Sequence, residues 1–335
     1  MSKKFHITII ILIITTINTG GHFDNSDKSW STHLYEKIQQ AKNLPLKTIS
    51  VSCPDDDIVL KACVQAYKEG YAKAILVGDE KKIKKVSEEH KIDISQFEII
   101  NEPDEKLAGL KAVKLVHDGK ADIYMKGLIS TKSFLQSLLD KKVGLRTGRQ
   151  LSHVVIAEVE GIEQMLFMTD GGVVMYPNLE DKVNLIENAI EIANAFDIKN
   201  PKVAALAAVE VVNPKMPATV DADKLVKMNE DGKIKNCIID GPLSLDMAIS
   251  REACIQKRAN RKIMGDADIL LFPNIESNNI SWKFIVHSAR HISGMLLAGT
   301  SHPVVLTSRS DDVETKVFSI ACASILDEYL KKKRK

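Results

Sequence analysis

Short apolar runs alternate with longer amphipathic segments along most of the chain after Trp30. The runs are rich in Ile, Val and Leu, which is typical of buried strands, and the segments between them repeat apolar residues at helical spacing. Strands are predicted at 47–53, 72–78, 97–100 and 121–125, and helices at 58–70, 81–91, 105–117 and 131–141. This alternation predicts βαβ units and therefore a parallel sheet.

The pattern changes after residue 150. The apolar runs 154–159 and 165–169 are separated by a short polar stretch, which predicts an antiparallel hairpin. Further strands are predicted at 202–210, 234–240, 267–274, 295–298 and 304–307, with a long helix at 179–196 and a final helix from about Asp312. A chain of 335 residues has room for two domains of about 150 residues. The sequence therefore predicts a two-domain α/β protein.

Residues 1–29 do not follow this pattern. Lys3 and Lys4 precede an apolar run over 7–17, and small residues follow it, so the segment resembles a secretory signal. The run is too short to span a bilayer of about 30 Å comfortably. The segment is either a signal-like sequence or a misassigned leader outside the working protein. The rest of the chain favours a cytoplasmic location, which is therefore predicted. The signal-like segment leaves export or membrane anchoring open.

Charge and cysteine content narrow the class of protein. The formal net charge is +2, and it becomes negative when the basic run 331–335, predicted to be a frayed helix end, is left out. No nucleic-acid partner is therefore expected. The five cysteines form no CxxC pair and several lie in apolar runs, which predicts buried free thiols in a reducing compartment.

Several common catalytic motifs are absent from the sequence. It contains no GxGxxG after a strand, no GxxxxGK[ST], no HExxH and no GxSxG. His287 and His291 stand four apart in a predicted helix, but no acidic third ligand accompanies them, so no metal site is predicted. Nicotinamide cofactors, P-loop hydrolysis and α/β-hydrolase chemistry are all disfavoured.

Three strand ends carry groups that suit an anion. Lys126 and Gly127 lead from a strand to Ser130 and Thr131 at a helix start, where hydroxyls and free backbone N–H groups form a phosphate cradle. A plain Ser130 helix cap explains the same residues equally well.

The second and third motifs contain arginines. Arg146 and Arg149 stand three apart among glycines and form a plausible phosphate clamp, although a solvated turn is the simpler interpretation. Ser308 and Arg309 follow the last strand and open the final helix, where Asp311 and Glu314 have the spacing of a capping box. The residues alone thus predict an α/β protein that binds phosphate-bearing ligands at strand ends.

At these residues the sequence resembles the phosphate acyltransferases, and within them the phosphate butyryltransferase branch. The resemblance covers residues 32–330. The matching stretches are 74–79, 125–128, 144–149, 151–154, 207–210, 212–219, 240–243, 265–270 and 303–309. The stretch NPKMPAT at 213–219 favours the butyryl branch over the acetyl one.

The resemblance implies a fold, a reaction and partners. The implied fold has two α/β domains with a mostly parallel sheet and a cleft between them, similar to isocitrate and isopropylmalate dehydrogenases. Residues 30–150 plus 303–335 would form the first domain and 151–302 the second. The implied reaction is reversible transfer of a short acyl group from acyl-CoA to inorganic phosphate, with CoA as a substrate and no cofactor. A homodimer or larger assembly is expected, with an acyl (butyrate) kinase as the pathway partner.

The resemblance also implies roles for residues. Arg309 would hold phosphate with help from Ser130 and Thr131, and Ser308 would hydrogen-bond the reacting oxygen or sulfur. The other expected substrate-binding residues are Lys126, Asn279, and Arg146 and Arg149, the two arginines facing the CoA phosphates.

The sequence departs from the family in two places. Thr315 stands where the acetyl branch has an aspartate, the usual candidate base, so Glu314 or Asp311 replaces it or no carboxylate base operates. Asn274 and Asn278 replace the usual Asp and Gly in an expected turn. Because Asn tolerates left-handed dihedrals better than most residues, the turn is expected to persist. Two other classes stay open: a metal- and NAD-dependent dehydrogenase on a related fold, and a non-catalytic binding protein on a degenerate scaffold.

Overall fold

The computed structural model describes residues 28–31 and 33–334. The helices are α1 (Leu34–Ala41), α2 (Asp57–Lys68), α3 (Glu80–Glu89), α4 (Glu105–His117), α5 (Thr131–Leu138), α6 (Leu179–Ala195), α7 (Pro217–Glu230), α8 (Leu245–Ile249), α9 (Arg251–Gln256), α10 (Ile275–Ser288) and α11 (Val313–Arg334). The strands are β1 (Lys47–Ser52), β2 (Ala72–Gly78), β3 (Glu98–Asn101), β4 (Ile123–Lys126), β5 (Ser152–Val159), β6 (Leu166–Thr169), β7 (Lys202–Leu206), β8 (Ile238–Leu243), β9 (Ile269–Leu271), β10 (His291–Ala298) and β11 (Val304–Val305).

These strands form one eleven-stranded sheet in the order β3-β2-β1-β4-β11-β10-β5-β6-β9-β7-β8. The pairs β11–β10, β10–β5 and β5–β6 at the centre are antiparallel, and the other pairs are parallel. The predicted α/β class, the mostly parallel sheet and the 154–169 hairpin are confirmed. The sheet continues across the predicted domain boundary, because β11 pairs with β4 on one side and with β10 on the other.

Helices cover both faces of the central strands, so every residue of β5 and of β10 is buried. This explains why these strands read as continuous apolar runs rather than as alternating ones. Helices α6 and α11 pack on one face together with Val154, whereas Val155 faces a separate apolar cluster that contains Trp282 and Met295.

The long helix α11 crosses β10 at close range. A Cβ built on Gly294 would lie 2.6 Å from Cys322 Sγ and 3.2 Å from the Phe318 carbonyl oxygen, so only glycine fits. One turn earlier, the Met295 backbone N–H donates to Ser319 Oγ at 3.0 Å. Helix and strand therefore meet backbone to backbone.

Three sequence predictions need correction. The basic run does not fray: Lys331 pairs with Asp122 and with buried Asp327, both at 2.7 Å, because their carboxylates lie next to the last helical turn. His287 and His291 do not share a helix, since α10 ends at Ser288 and His291 begins β10. Strand β7 ends at Leu206 instead of continuing to 210.

The prediction of buried free thiols is largely confirmed. All five cysteines are free; Cys53 is half-buried and the other four are buried. The apolar run at 7–17, predicted to be signal-like, lies outside the described residues. None of the helices within residues 28–31 and 33–334 combines the length and the apolar character that crossing a bilayer requires.

Substituting Gly294 should test the contact between α11 and β10. We expect Gly294→Ala to lower the free energy of unfolding by about 2 kcal/mol, because the added methyl overlaps Cys322 Sγ. Cys322→Ala alone removes a buried sulfur, and combined with Gly294→Ala it should recover part of the loss. Urea unfolding of the two single variants and the double variant measures this coupling. Additive effects of the two substitutions would contradict the contact.

Candidate functional site

A cavity of about 220 Å³ lies over the central antiparallel strands, and residues from both halves of the sheet line it. The first half contributes Thr131 at the start of α5 and the segment 306–308 after β11. The second half contributes residues of β5 and β10, the glycines after β6, and one side of α10. These lining residues are His153, Val155, Gly171, Gly172, Asn278, Asn279, Trp282, Lys283 and Met295.

The turn between β11 and α11 forms the first wall. The Ser308 backbone N–H donates to Asp311 Oδ2 at 2.7 Å, and Lys316 Nζ donates to the Ser308 carbonyl oxygen at 2.8 Å. Asp311 is buried, so these bonds are shielded from water. They fix Ser308 at the edge of the cavity, with its hydroxyl 3.1 Å from Ser310 Oγ.

The loop after β6 forms the opposite wall. Asp170 Oδ1 accepts from the backbone N–H groups of Gly172 at 2.7 Å and Val173 at 2.8 Å, and its Oδ2 accepts from the His153 N–H at 2.8 Å. Asn279 Nδ2 donates to the Gly171 carbonyl oxygen at 3.0 Å. Buried Asn278, with its amide oriented to satisfy its hydrogen bonds, accepts from the Gly171 N–H at 3.3 Å. This loop is therefore held rigidly by buried polar groups.

His153 connects the two walls. Its Nε2 lies 3.1 Å from the Leu306 carbonyl oxygen, and since a carbonyl only accepts, Nε2 carries the proton. Its ring packs against Gly172, where a Cβ would lie 3.0 Å from the ring Cγ. The neutral tautomer leaves Nδ1 as an acceptor, and this atom is buried without a hydrogen-bond partner in the described part of the chain.

Cationic side chains cluster beside Ser308. Lys126 is buried, and burial, together with the nearby positive charges of Arg309 and Lys316, lowers the pKa of its ammonium to about 8. Burial also lowers the pKa of Lys316. The carboxylates of Glu105, near Lys126, and Asp311, near Lys316, offset part of the repulsion between these like charges, and a bound anion would offset more of it. The cluster is therefore suited to a dianion such as phosphate.

The structure brings some of the predicted site residues together. Thr131, Asn279 and Ser308 line the cavity. Lys126 and exposed Arg309 lie close enough together for the arginine charge to lower the lysine pKa. Ser130 is the N-cap of α5, accepting from the Ser133 N–H at 3.2 Å, while its hydroxyl donates to Glu105 at 2.8 Å.

Other predicted residues do not line the cavity. Glu314, the candidate base, pairs with Lys28 at 2.7 Å. Arg149 forms an ion pair with Glu191 on α6, which covers the other face of the sheet. Arg146 is exposed, and its backbone pairs with Thr300 in the loop that precedes β11. The geometry gives no support to Glu314 as base or to Arg149 as a CoA clamp.

Two local predictions were wrong. Asp311 and Glu314 do not form a capping box; instead Asp312 Oδ1 accepts from the Thr315 N–H at 2.8 Å, which places the cap one residue later. Asn274 does not adopt a left-handed turn: its φ is −160°, and its side chain caps α10 by accepting from the Ser277 N–H at 2.9 Å. Asn278 then falls in the first turns of that helix.

Sequence reasoning missed four side chains at the site. They are His153, Trp282, Lys283 and Lys316. Lys316 left a signal in the sequence, since it directly precedes the largely apolar run 317–323 of a helix, and a cation buried with such a run needs a partner. The other three reach the cavity through tertiary packing and left no comparable pattern.

The fold and the site define an α/β protein with a small cavity that has an apolar floor, beside a turn at Ser308 where Lys126, Arg309 and Lys316 cluster. A family model described as "Phosphate acetyl/butaryl transferase" matches residues 33–109 and 105–324. The chain therefore belongs to the phosphate acetyl/butyryl transferase family.

Individual relatives agree with this assignment. The chain is 47% identical over 291 residues to a phosphate butyryltransferase of Clostridium acetobutylicum, covering 87% of this chain and 97% of the relative. A phosphate butyryltransferase of Clostridium beijerinckii is 46% identical over 88% of this chain and 98% of its own. The crystal structure of a branched-chain phosphotransacylase from Enterococcus faecalis matches with a TM-score of 0.76 and 32% identity, covering 84% of this chain and 99% of its own.

The expected likeness to dehydrogenases is confirmed at the level of the fold. A 4-hydroxythreonine-4-phosphate dehydrogenase from Klebsiella pneumoniae matches with a TM-score of 0.52 over 84% of this chain and 99% of its own, at 12% identity. The aspartates that a metal-dependent dehydrogenase would need are engaged otherwise in this chain: Asp266 pairs with Lys202, and Asp268 accepts from the Lys202 backbone N–H at 2.7 Å.

Phosphate affinity should report the ionisation of Lys126. The ammonium is charged below its pKa of about 8 and neutral above it, so phosphate affinity should fall as the pH rises from 7 to 9. The loss should reach roughly tenfold, the scale of one charge-assisted hydrogen bond. Lys126→Met should bind phosphate more weakly at pH 7 and lack this pH step, whereas Lys106→Met on exposed α4 should behave as wild type. Calorimetric titration with inorganic phosphate measures both, and an unchanged step in Lys126→Met would remove the lysine from the site.

Proposed function

We propose that this chain catalyses the reversible transfer of a short acyl group, preferentially butyryl, from acyl-CoA to inorganic phosphate, giving acyl phosphate and CoA. The observation that carries the proposal is that one cavity joins Ser308 to an apolar floor, while Lys316 holds the Ser308 turn and lies near Lys126 and Arg309. Family membership and the names of the relatives support the reaction.

Phosphate is the first substrate to place. Lys126, Arg309 and Lys316 offer three positive charges, and the N-terminus of α5 at Thr131 adds the partial positive charge of a helix dipole. A phosphate dianion here compensates charges that otherwise repel one another. In the forward direction its oxygen attacks the thioester carbonyl, and in the reverse direction the same groups stabilise it as the leaving group.

The acyl carbonyl then lies beside Ser308. The turn that holds its backbone through Asp311 and Lys316 leaves the hydroxyl at the edge of the cavity, where it can donate to the developing oxyanion or to the sulfur. A donor aimed in this way lowers the activation barrier by about 3 kcal/mol.

The CoA thiol needs help to ionise when it acts as the nucleophile. Glu314 is paired with Lys28, and Asp311 is held by the Ser308 N–H, with Lys283 3.7 Å from its other oxygen. We therefore assign no carboxylate base. The positive field of the cation cluster lowers the pKa of the thiol and favours the reactive thiolate, as it does for cysteines beside cations.

The cellular setting follows from the same proposal. Acyl phosphate is a reactive mixed anhydride, so we propose an acyl (butyrate) kinase as the enzyme that consumes it. The free thiols favour a cytoplasmic location. A homodimer or larger homo-oligomer would cover exposed apolar side chains such as Ile280 and Phe284 on α10.

An activity assay tests the reaction itself. We expect phosphate-dependent release of CoA thiol from butyryl-CoA. Its kcat/KM should exceed that for acetyl-CoA, because burying the additional methylene groups on the apolar floor stabilises the bound acyl chain. The control omits phosphate. Release that does not depend on phosphate, or no release with any acyl-CoA, would overturn the proposal and favour a non-catalytic binding protein. Faster turnover of acetyl-CoA would overturn the butyryl preference alone.

Arg309 should carry much of the phosphate interaction. We expect Arg309→Ala to raise the barrier by at least about 2 kcal/mol, the scale of a charge-assisted hydrogen bond. Arg309→Lys should be intermediate, because it keeps the charge and loses the planar fork. Arg251→Ala, an exposed arginine on α9, is the matched control and should behave as wild type. Steady-state kinetics at varied phosphate concentration measure the effect of each variant, and melting curves exclude unfolding. Near-normal kinetics in folded Arg309→Ala would contradict the role of Arg309 in binding phosphate.

A further inference from the structure

The floor of the cavity differs chemically from its rim. Val155 on β5 and Met295 on β10 are directly opposite each other in the antiparallel ladder, so their side chains lie together on one face of the sheet. Trp282 of α10 and Leu306 after β11 complete an apolar surface. All four side chains are at least nine-tenths buried. Thr131 is exposed and Ser308 is half-buried, so these two polar residues stand at the rim, while the buried polar side chains of His153 and Asn278 line another part of the cavity.

From this arrangement we propose that Val155, Met295 and Trp282 form the acyl-chain subsite and set the chain length of the acyl group. The proposal rests on the transfer reaction proposed above. Phosphate and the reacting carbonyl need polar partners when they leave water. The acyl chain is apolar, so its transfer from water to an apolar floor is favourable in free energy. With the carbonyl beside Ser308, the chain points toward the strands.

The size of the cavity agrees with this division. A volume of about 220 Å³ is below the roughly 300–1,000 Å³ of pockets that enclose drug-sized ligands. It has room for a short acyl group and phosphate, and most of CoA stays outside. Val155 and Met295 lie on central strands that are held on both sides by neighbouring strands, so this part of the floor is fixed in position when a longer chain enters.

The neighbouring residue offers a matched control. Val154 is the same residue type on the same strand and is equally buried, but it points to the opposite face, toward α6 and α11. Val154→Ala and Val155→Ala therefore remove the same atoms from the same strand, and only the second enlarges the cavity.

The experiment compares kcat/KM for acetyl-, butyryl- and hexanoyl-CoA in wild type and in the two variants. Val155→Ala should raise the hexanoyl-to-butyryl ratio by about tenfold, since a methylene group in such a pocket changes selectivity by roughly 10- to 200-fold. Val154→Ala should leave the ratio within about twofold of wild type, although it loses stability. Equal ratios in the two variants would overturn the subsite.

A second variant keeps the test decisive if Val155→Ala does not fold. Val155→Thr preserves the shape of the side chain and places a hydroxyl beneath the acyl chain. It should lower kcat/KM for butyryl-CoA several-fold more than for acetyl-CoA, because acetyl barely reaches the floor. Equal losses for both substrates would overturn the proposal. Activity of the wild type separates the two proposals: no phosphate-dependent release from any acyl-CoA refutes the reaction, whereas normal release with unshifted selectivity refutes only the subsite.

Discussion

The backbone contact between α11 and β10 is the constraint on which the site depends. Gly294 allows the helix to lie directly on the strand, and the helix continues backward from this contact into the turn that contains Ser308. At its other end, buried Asp327 pairs with Lys47 of β1 at 3.0 Å, and breaking such a pair is costly. A helix fixed at both ends places Lys316, and with it the Ser308 carbonyl, at one position relative to the sheet.

The cation cluster is destabilising by itself. Burial of Lys126 and Lys316 near Arg309 costs solvation free energy, and their mutual repulsion adds to the cost. Neighbouring helices and strands hold these charges together. In the proposed reaction, binding of a phosphate dianion would remove part of this unfavourable energy, and folding, not substrate binding, would already have brought the charges together. The preorganised field is available at the moment when charge moves between sulfur and oxygen.

The sequence predicted the elements better than it predicted their partners. The parallel halves and the central hairpin followed from apolar periodicity, which is local. Thr131 and Ser308, which line the cavity, were found as anion-binding groups at strand ends, and Asn279, which also lines it, came with the family resemblance. Glu314 was assigned to the site as a replacement for the aspartate that Thr315 displaces, and Arg149 because arginines among glycines suit the phosphates of CoA. Their partners, Lys28 and Glu191, are remote in sequence, so no local pattern could show that these charges were already paired.

The same limit explains why His153 escaped notice. Its role depends on a hydrogen bond to Leu306 in the segment after β11, which is far from His153 in the sequence. Lys283 and Trp282 likewise depend on the position of α10 above the sheet. A linear pattern records which face of an element is apolar, but it does not record which polar groups the fold brings together.

The join between the two halves of the sheet has a mechanical consequence. Only two residue pairs, Leu296–Val305 and Leu297–Val304, form the ladder between β10 and β11. A ladder this short resists stretching along its hydrogen bonds but offers little resistance to torsion. Because α11 crosses this seam, packed on β10 at Gly294 and paired with β1 through Asp327 and Lys47, the helix supplies the torsional stiffness that the ladder lacks. The angle between the Ser308 turn and the Gly171–Gly172 loop is therefore set by a helix on one face of the sheet, with the His153–Leu306 hydrogen bond beside the seam as a second tie.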